Sequence, residues 1–443
     1  MSLGLALSGG GSRAAAFHRG TLKGLQEVGL LDGVEVASTV SGGSLFGAAW
    51  VVAKNNNTGL DAFLAIMANE LEKGFVARAL ASWNILKLPL PGYDRTDLFA
   101  DAFDKIFFNG MKLEALPDRP ALCLNTTVLN TGQVGKFTKT GFQTSGRYKH
   151  YKKPLPLQHV PQLASFPVAR AVAASAAFPI GLNPVNLRRG KELPQGWGEG
   201  TEVEQLDSLQ LTDGGVLENM GVQTILDTPG LRCWDLIVSD AGTAEGLWRP
   251  TLWDRVQSGL MGAISSEILK AVSVLMNNKN DRHTRFDTVA ALEASWMAAS
   301  IAPPRPWPMP GIEEMLEDEV LRKHIAPSPP RRRKLLMPRV DQNWEDLLSS
   351  MPRWRLVELG AAPDDARKWT DTKDAGAVEK FLTSRRINLA PAKAIYDNDL
   401  KGRQGVDTCN AVSTNFTALK QEEITALYHH ARWQVHLLKE IYW

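Results

Sequence analysis

Twice before Trp50 a short apolar run stops at a cluster of glycines and resumes with helical spacing. The two stretches are LGLALSGGGSRAAAFHRG from Leu3 and VEVASTVSGGSLFGAAW from Val34. Glycine tolerates backbone angles and close approaches that other residues do not, so each cluster marks a tight strand-to-helix turn. The periodicity predicts a strand over Leu3 to Leu7, a helix over Ser12 to Val28, a strand over Glu35 to Val40 and a further helix from Leu45. Strand, turn, helix and strand form a βαβ unit, which implies a parallel sheet with a right-handed crossover. The expected fold class is α/β, with helices on both faces of a mainly parallel central sheet.

Further strands are predicted at Pro120 to Asn125, Gly135 to Thr138 and Leu236 to Ser239, and helices at Arg95 to Phe108, Val168 to Ala177 and Trp253 to Met276. Beyond residue 300 the texture changes to Pro- and Arg-rich segments, IAPPRPWPMPG and APSPPRRRKLLMPR. The expected division is a catalytic domain over 1–300, an insertion or peripheral subdomain over 301–405 and a helix over 406–443 that packs back on the first. The insertion is a candidate lid, regulatory or membrane-docking region.

Composition narrows the function. The chain has 443 residues, 44% hydrophobic and 22% charged, with a net charge of +2, so charge makes no case for a nucleic-acid partner. Cys123, Cys233 and Cys409 are an odd, scattered set, which argues against a disulfide framework and for a reducing compartment. No CxxC pair or Cys/His cluster suggests zinc, and no cofactor is expected. No Sec leader is visible and no apolar run reaches the roughly 18 residues that cross a bilayer. A cytoplasmic protein peripheral to a membrane is the expectation, with non-Sec export left open. The 13 Trp residues outnumber the 6 Tyr. Those of the C-terminal third, with the basic run Arg331 to Lys334, are the candidates for lipid contact.

Three segments carry chemistry. In TVSGGSLFGAAW, a serine on a strand-to-helix turn flanked by Gly42 and Gly43 has the look of a nucleophile elbow, and Ser44 is the candidate. Against the pattern GxSxG, Gly42 and Ser44 fit, Phe46 does not, and Gly47 comes one place late. In LTDGGVLENMG, Asp213 ends a β-like run before Gly214 and Gly215, where it could reach a neighbouring turn at the same sheet edge. None of the eight histidines lies in a turn after a strand, and an interior helical residue such as His18 is more often packed. Asp213 is therefore the candidate base of a Ser-Asp dyad, with a pKa raised by burial. Gly9, Gly10 and Gly11, on the neighbouring turn, could aim N–H groups at an oxyanion. Arg13 could hold that loop or meet an anionic headgroup.

Together these residues resemble the patatin-like phospholipases. The family's GGGx[RK]G motif is matched by Gly9 to Arg13, with Ala14 in the last glycine's place. SGGS places the family's nucleophile on Ser44, and the DGG motif its aspartate on Asp213. LCLNTTVLNTGQVGKFT and VARAVAASAAFPIGLNPV resemble two further family blocks. The resemblance implies a three-layer α/β/α domain that hydrolyses acyl esters of lipids, phospholipids among them, through an acyl-enzyme. It also implies peripheral membrane contact, and leaves open an activating protein or small molecule and the oligomeric state.

Two other readings compete. Gly9, Gly11 and Ala14 also spell GxGxxA, a dinucleotide fingerprint, but the following strand ends in a serine turn rather than an acidic residue. A lipid-binding scaffold with a silent site would keep the fold without the reaction.

Overall fold

The computed structural model describes residues 3–144, 159–179, 181–199, 202–227, 231, 233, 235–242 and 334–443. The expected helix Trp253 to Met276 and Arg331 to Arg333 of the basic run lie outside them. Five strands form a parallel core in the order β10-β9-β1-β2-β3: Leu335–Leu336, Asp235–Ser239, Leu3–Leu7, Val34–Val40 and Ala121–Val128. From β3 the sheet continues antiparallel through β4 (Gln133–Thr138), β5 (Gly141–Thr144) and β6 (His159–Val160), and β7 (Val185–Arg188) pairs with β8 (Ser208–Asp213). This is the α/β fold expected, with an antiparallel wing.

Helix α1 (Gly11–Glu27) follows β1 and is buried along nearly its whole length, because it lies between the sheet and a long C-terminal helix. That closeness depends on small residues. A side chain on Gly20 would overlap the carbonyl of Tyr428, and one on Gly24 would press on Val435. Helix α2 (Gly42–Asn55) follows β2, and α3 (Leu60–Lys73), α4 (Phe75–Leu80), α5 (Arg95–Phe103), α6 (Val168–Ser175) and α7 (Val222–Asp227) come next. The predicted helix from Arg95 to Phe108 ends as a π turn over Asp104–Phe108.

Residues 334–443 share the sheet and the core. Leu335 pairs with Leu236 at the sheet's end, six helices run between Trp344 and Ala411, and α8 (Gln421–Tyr442) lies along α1. Leu336, Trp344, Leu382 and Trp433 belong to the same apolar cluster as Leu5, Phe17 and Phe46. Trp344 and Trp433 are thus core residues, and lipid contact is not open to them.

Candidate active site

The pairing of β3 determines which residues meet. Its one edge is taken by β4, and its other edge is shared between two strands that run towards each other. β2, parallel, covers that edge up to the Val40–Asn125 pair, and β8, antiparallel, covers it from the Asp213–Thr126 pair onward. The ends of β2 and β8 therefore meet head-on, with Ser41 next after Val40 and Asp213 facing it.

The hydroxyl brought to Asp213 is that of Ser41 and not that of Ser44. Ser41 Oγ donates to Asp213 Oδ2 at 2.6 Å, and the Gly215 N–H donates to Oδ1 at 2.8 Å. Ser41 has φ 52° and ψ −122°, a left-handed conformation that costs a non-glycine residue on the order of 1–3 kcal/mol. The turn is thereby sharp enough to lift the side chain off the strand end. Asp213 is fully buried, and desolvation pushes its carboxyl from 3.8 up to about 6 against the lowering effect of its two hydrogen bonds.

The expected Ser44–Asp213 pair is not formed. Ser44 lies one turn into α2, fully buried, 2.8 Å from Ser175 Oγ and 2.9 Å from Thr39 Oγ1. Both partners have already given their protons away, Ser175 to the Asn125 carbonyl and Thr39 to that of Cys123. They can only accept the single proton of Ser44, which makes Ser44 a tie between α2, α6 and β2. Ser175, which sequence reasoning did not single out, also accepts the Ser41 N–H at 3.1 Å and so braces the turn. A signal for Ser41 was present in the sequence, since it directly follows the last strand residue and has Gly43 two places on.

The glycine loop stands beside this turn. β1 and β2 pair in register, Leu7 with Thr39, which brings Gly9 level with Ser41. A Cβ on Gly9 would stand 3.1 Å from Ser41 Cβ, one on Gly42 would fall 2.6 Å from the Gly11 nitrogen, and one on Gly43 would fall 2.5 Å from the carbonyl oxygens of Leu7 and Ser8. Gly10 and Gly11 have φ of 138° and 56°, which turn the chain into α1. The Gly9 N–H is spent on the Asn219 carbonyl, whereas those of Gly10 and Gly11 have no acceptor among the described residues. The N-termini of α1 and α2 converge here, and both present the positive end of a helix dipole.

The remaining site residues support these turns. Arg13 is buried and donates to the Val412 carbonyl at 3.1 Å, so it holds the loop rather than a headgroup. Gly214 passes close to Asn125, where a Cβ would stand 2.6 Å from its carbonyl oxygen. Glu218, fully buried, accepts from the N–H groups of Met220, Gly221 and Gln223 and so shapes the turn that carries Asn219. Burial pushes its carboxyl up to about 7. His18 is packed, not catalytic in position. Its Nε2 donates to the Ser8 carbonyl at 2.9 Å and its Nδ1 accepts from Ser239 Oγ at 2.7 Å, and burial lowers it to about 4.

A family model described as patatin-like phospholipase matches residues 5–226, half of the chain. The chain belongs to that family. The matched span of this patatin-like chain contains the glycine loop, the serine turn and Asp213. Among solved structures, human GIVD cytosolic phospholipase A2 in complex with methyl gamma-linolenyl fluorophosphonate is similar at 16% identity, over 99% of this chain and 58% of its own, with a TM-score of 0.45. VipD from Legionella pneumophila aligns at 14% identity over 87% of this chain and 67% of its own, with a TM-score of 0.28. ExoU from Pseudomonas aeruginosa, in complex with SpcU, aligns at 12% over 93% and 85%, with a TM-score of 0.26. The chain spans about three fifths of the length of the cytosolic phospholipase A2 structures that it matches. No curated protein sequence matches it.

Proposed function

We propose that this patatin-like protein is a lipid acyl hydrolase of phospholipase A type, with Ser41 as nucleophile and Asp213 as its base. The observation that carries the reading is the 2.6 Å hydrogen bond from Ser41 Oγ to a buried carboxylate. A carboxyl near 6 is ionised at neutral pH yet basic enough to take a proton in the transition state. Ser41 attacks the ester carbonyl as its proton passes to Asp213, and the N–H groups of Gly10 and Gly11 face the growing oxyanion. The tetrahedral species collapses to an acyl-enzyme as the leaving alcohol takes the proton from Asp213. Water then attacks the acyl-enzyme as its proton passes to Asp213, and collapse of the second tetrahedral species breaks the bond to Ser41 Oγ, which takes the proton back from Asp213 as the fatty acid leaves. Each oxyanion donor of this kind is worth on the order of 3 kcal/mol. The lipid substrate class is supported by the family, and the serine by the geometry.

Labelling with a fluorophosphonate followed by peptide mapping tests both parts. The adduct is expected on Ser41, with Ser41→Ala unlabelled and inert towards a short-chain acyl ester, while Ser44→Ala still labels. An adduct on Ser44, or full turnover by Ser41→Ala, overturns the assignment. A wild type that neither labels nor cleaves esters overturns the activity and returns the silent scaffold.

A further inference from the structure

Of the described C-terminal tryptophans, Trp344 and Trp433 are buried and Trp354, Trp369 and Trp443 half-buried, yet one described Trp is almost fully exposed. Trp83 is 87% exposed, Leu86 68% and Leu90 57%, in the short segment that leads from α4 to α5, with Leu80 40% exposed just before them. A soluble surface rarely shows four large apolar side chains in eleven consecutive residues without a use for them. Together they offer on the order of 400–500 Å², against roughly 800 Å² per partner for a stable protein interface. Within Gly74 to Tyr93 the only charged residues are two cations, Arg78 and Lys87. Arg78 is held by Glu70, whereas Lys87 keeps half of its side chain exposed, with Asp101 of α5 3.9 Å away and itself bonded by Asn84 and Tyr93.

Both ends of this segment are tied to the loops of the site. At one end, the Val76 N–H donates to the Phe416 carbonyl, and the adjoining Asn415 and Thr417 carbonyls accept from the N–H and hydroxyl of Ser12 in the glycine loop. Helix α4 rises only about 9 Å from there to Leu80. At the other end, Thr96 and Arg95 bond to Asn183, six residues after Ala177, whose carbonyl accepts the Asp213 N–H. The two ends of the apolar segment are thereby anchored to the elements that lead to the glycine loop and to Asp213.

We infer that Trp83, Leu86 and Leu90 form the docking surface by which the protein enters a phospholipid bilayer, with Lys87 meeting the lipid phosphates. Trp and Leu enter the boundary between headgroups and acyl chains, and a lysine beside them keeps its ammonium at headgroup depth. The segment then seats the site rim at the depth where an ester bond lies. The inference rests on the acyl-hydrolase reading for its substrate, but its binding measurement stands apart from catalysis.

The test is co-sedimentation with sucrose-loaded vesicles of phosphatidylcholine containing a minor share of phosphatidylglycerol. The wild type is compared with a triple variant, Trp83→Asp, Leu86→Asp and Leu90→Asp, whose exposed positions and unchanged circular dichroism keep folding out of question. The wild type is expected to pellet and the variant to partition at least tenfold less, with hydrolysis of a soluble short-chain ester unchanged and of vesicle phospholipid reduced. Equal partition of the two proteins overturns the inference. So does a wild type that ignores vesicles, or one that forms dimers in the absence of lipid which the variant dissolves. If neither protein cleaves the soluble ester, the acyl-hydrolase reading fails while the partition result still decides the docking surface.

Discussion

Replacing Asp213 by Asn should make the protein more stable and inactive at the same time, and the gain should appear only as the pH rises. The wild-type carboxyl goes from 3.8, its ordinary value, to about 6 in the fold because burial penalises its charge. The folded state therefore holds the proton more tightly than the unfolded chain. That contribution is fully present below about pH 3.8 and is lost as the pH passes about 6. At about 1.4 kcal/mol per pH unit, the ionised carboxylate costs the fold on the order of 3 kcal/mol at neutral pH. Asn keeps the volume and an oxygen for the Gly215 N–H, but has no charge to bury. Relative to wild type, Asp213→Asn should gain roughly 3 kcal/mol in urea unfolding between about pH 4 and pH 7. Its turnover of a soluble ester should fall by at least ~10³-fold, because the amide cannot take the Ser41 proton. In the wild type, kcat/KM should rise with a midpoint near 6, leaving about one tenth of the plateau at about pH 5. An ordinary carboxyl would leave more than nine tenths ionised at that pH. A profile flat down to about pH 4.5, or a stability difference that does not move with pH, refutes the reasoning.

Other perturbations separate the roles of neighbouring residues. Ser44→Ala should lose about 1 kcal/mol of stability, from its tie to Ser175 or Thr39, and keep ester turnover within about tenfold of wild type. Gly42→Ala sets a methyl against the Gly11 backbone and pushes the two helix N-termini apart, so kcat should fall at least ~100-fold with a smaller change in KM. Gly20→Ala forces α1 away from Tyr428 of α8 and should cost roughly 1–3 kcal/mol in unfolding, with the specific activity of the folded protein kept. A turnover loss for Gly20→Ala as large as for Gly42→Ala would count against the placement of the site.

Much of the N-terminal half of the fold was legible in the sequence. Local signals placed β1, α1 and β2 within a residue or two, because an apolar run that breaks at glycine and resumes with helical spacing has few other folds open to it. The antiparallel wing and the sheet position of Leu335–Leu336 were not legible. They are long-range pairings, and a two-residue strand has no periodicity to read.

What the sequence by itself determined is the cast: a glycine loop, a serine-bearing turn and an aspartate, each at the end of a strand. Which serine faces the aspartate was decided by the tertiary structure. Ser41 and Ser44 are three residues apart and each borders a glycine, and the local signal for Ser41, its place next after the strand with Gly43 two places on, does not say which of the two meets the aspartate. They differ in that β2 ends at Val40 and leaves the edge of β3 to β8 from Thr126 onward, so that only the residue next after Val40 can meet Asp213. The positive φ that turns Ser41 outward is likewise held by contacts made elsewhere, chiefly the Ser175 hydroxyl on its N–H. No spacing rule records where two strands from distant parts of the chain stop along a shared neighbour.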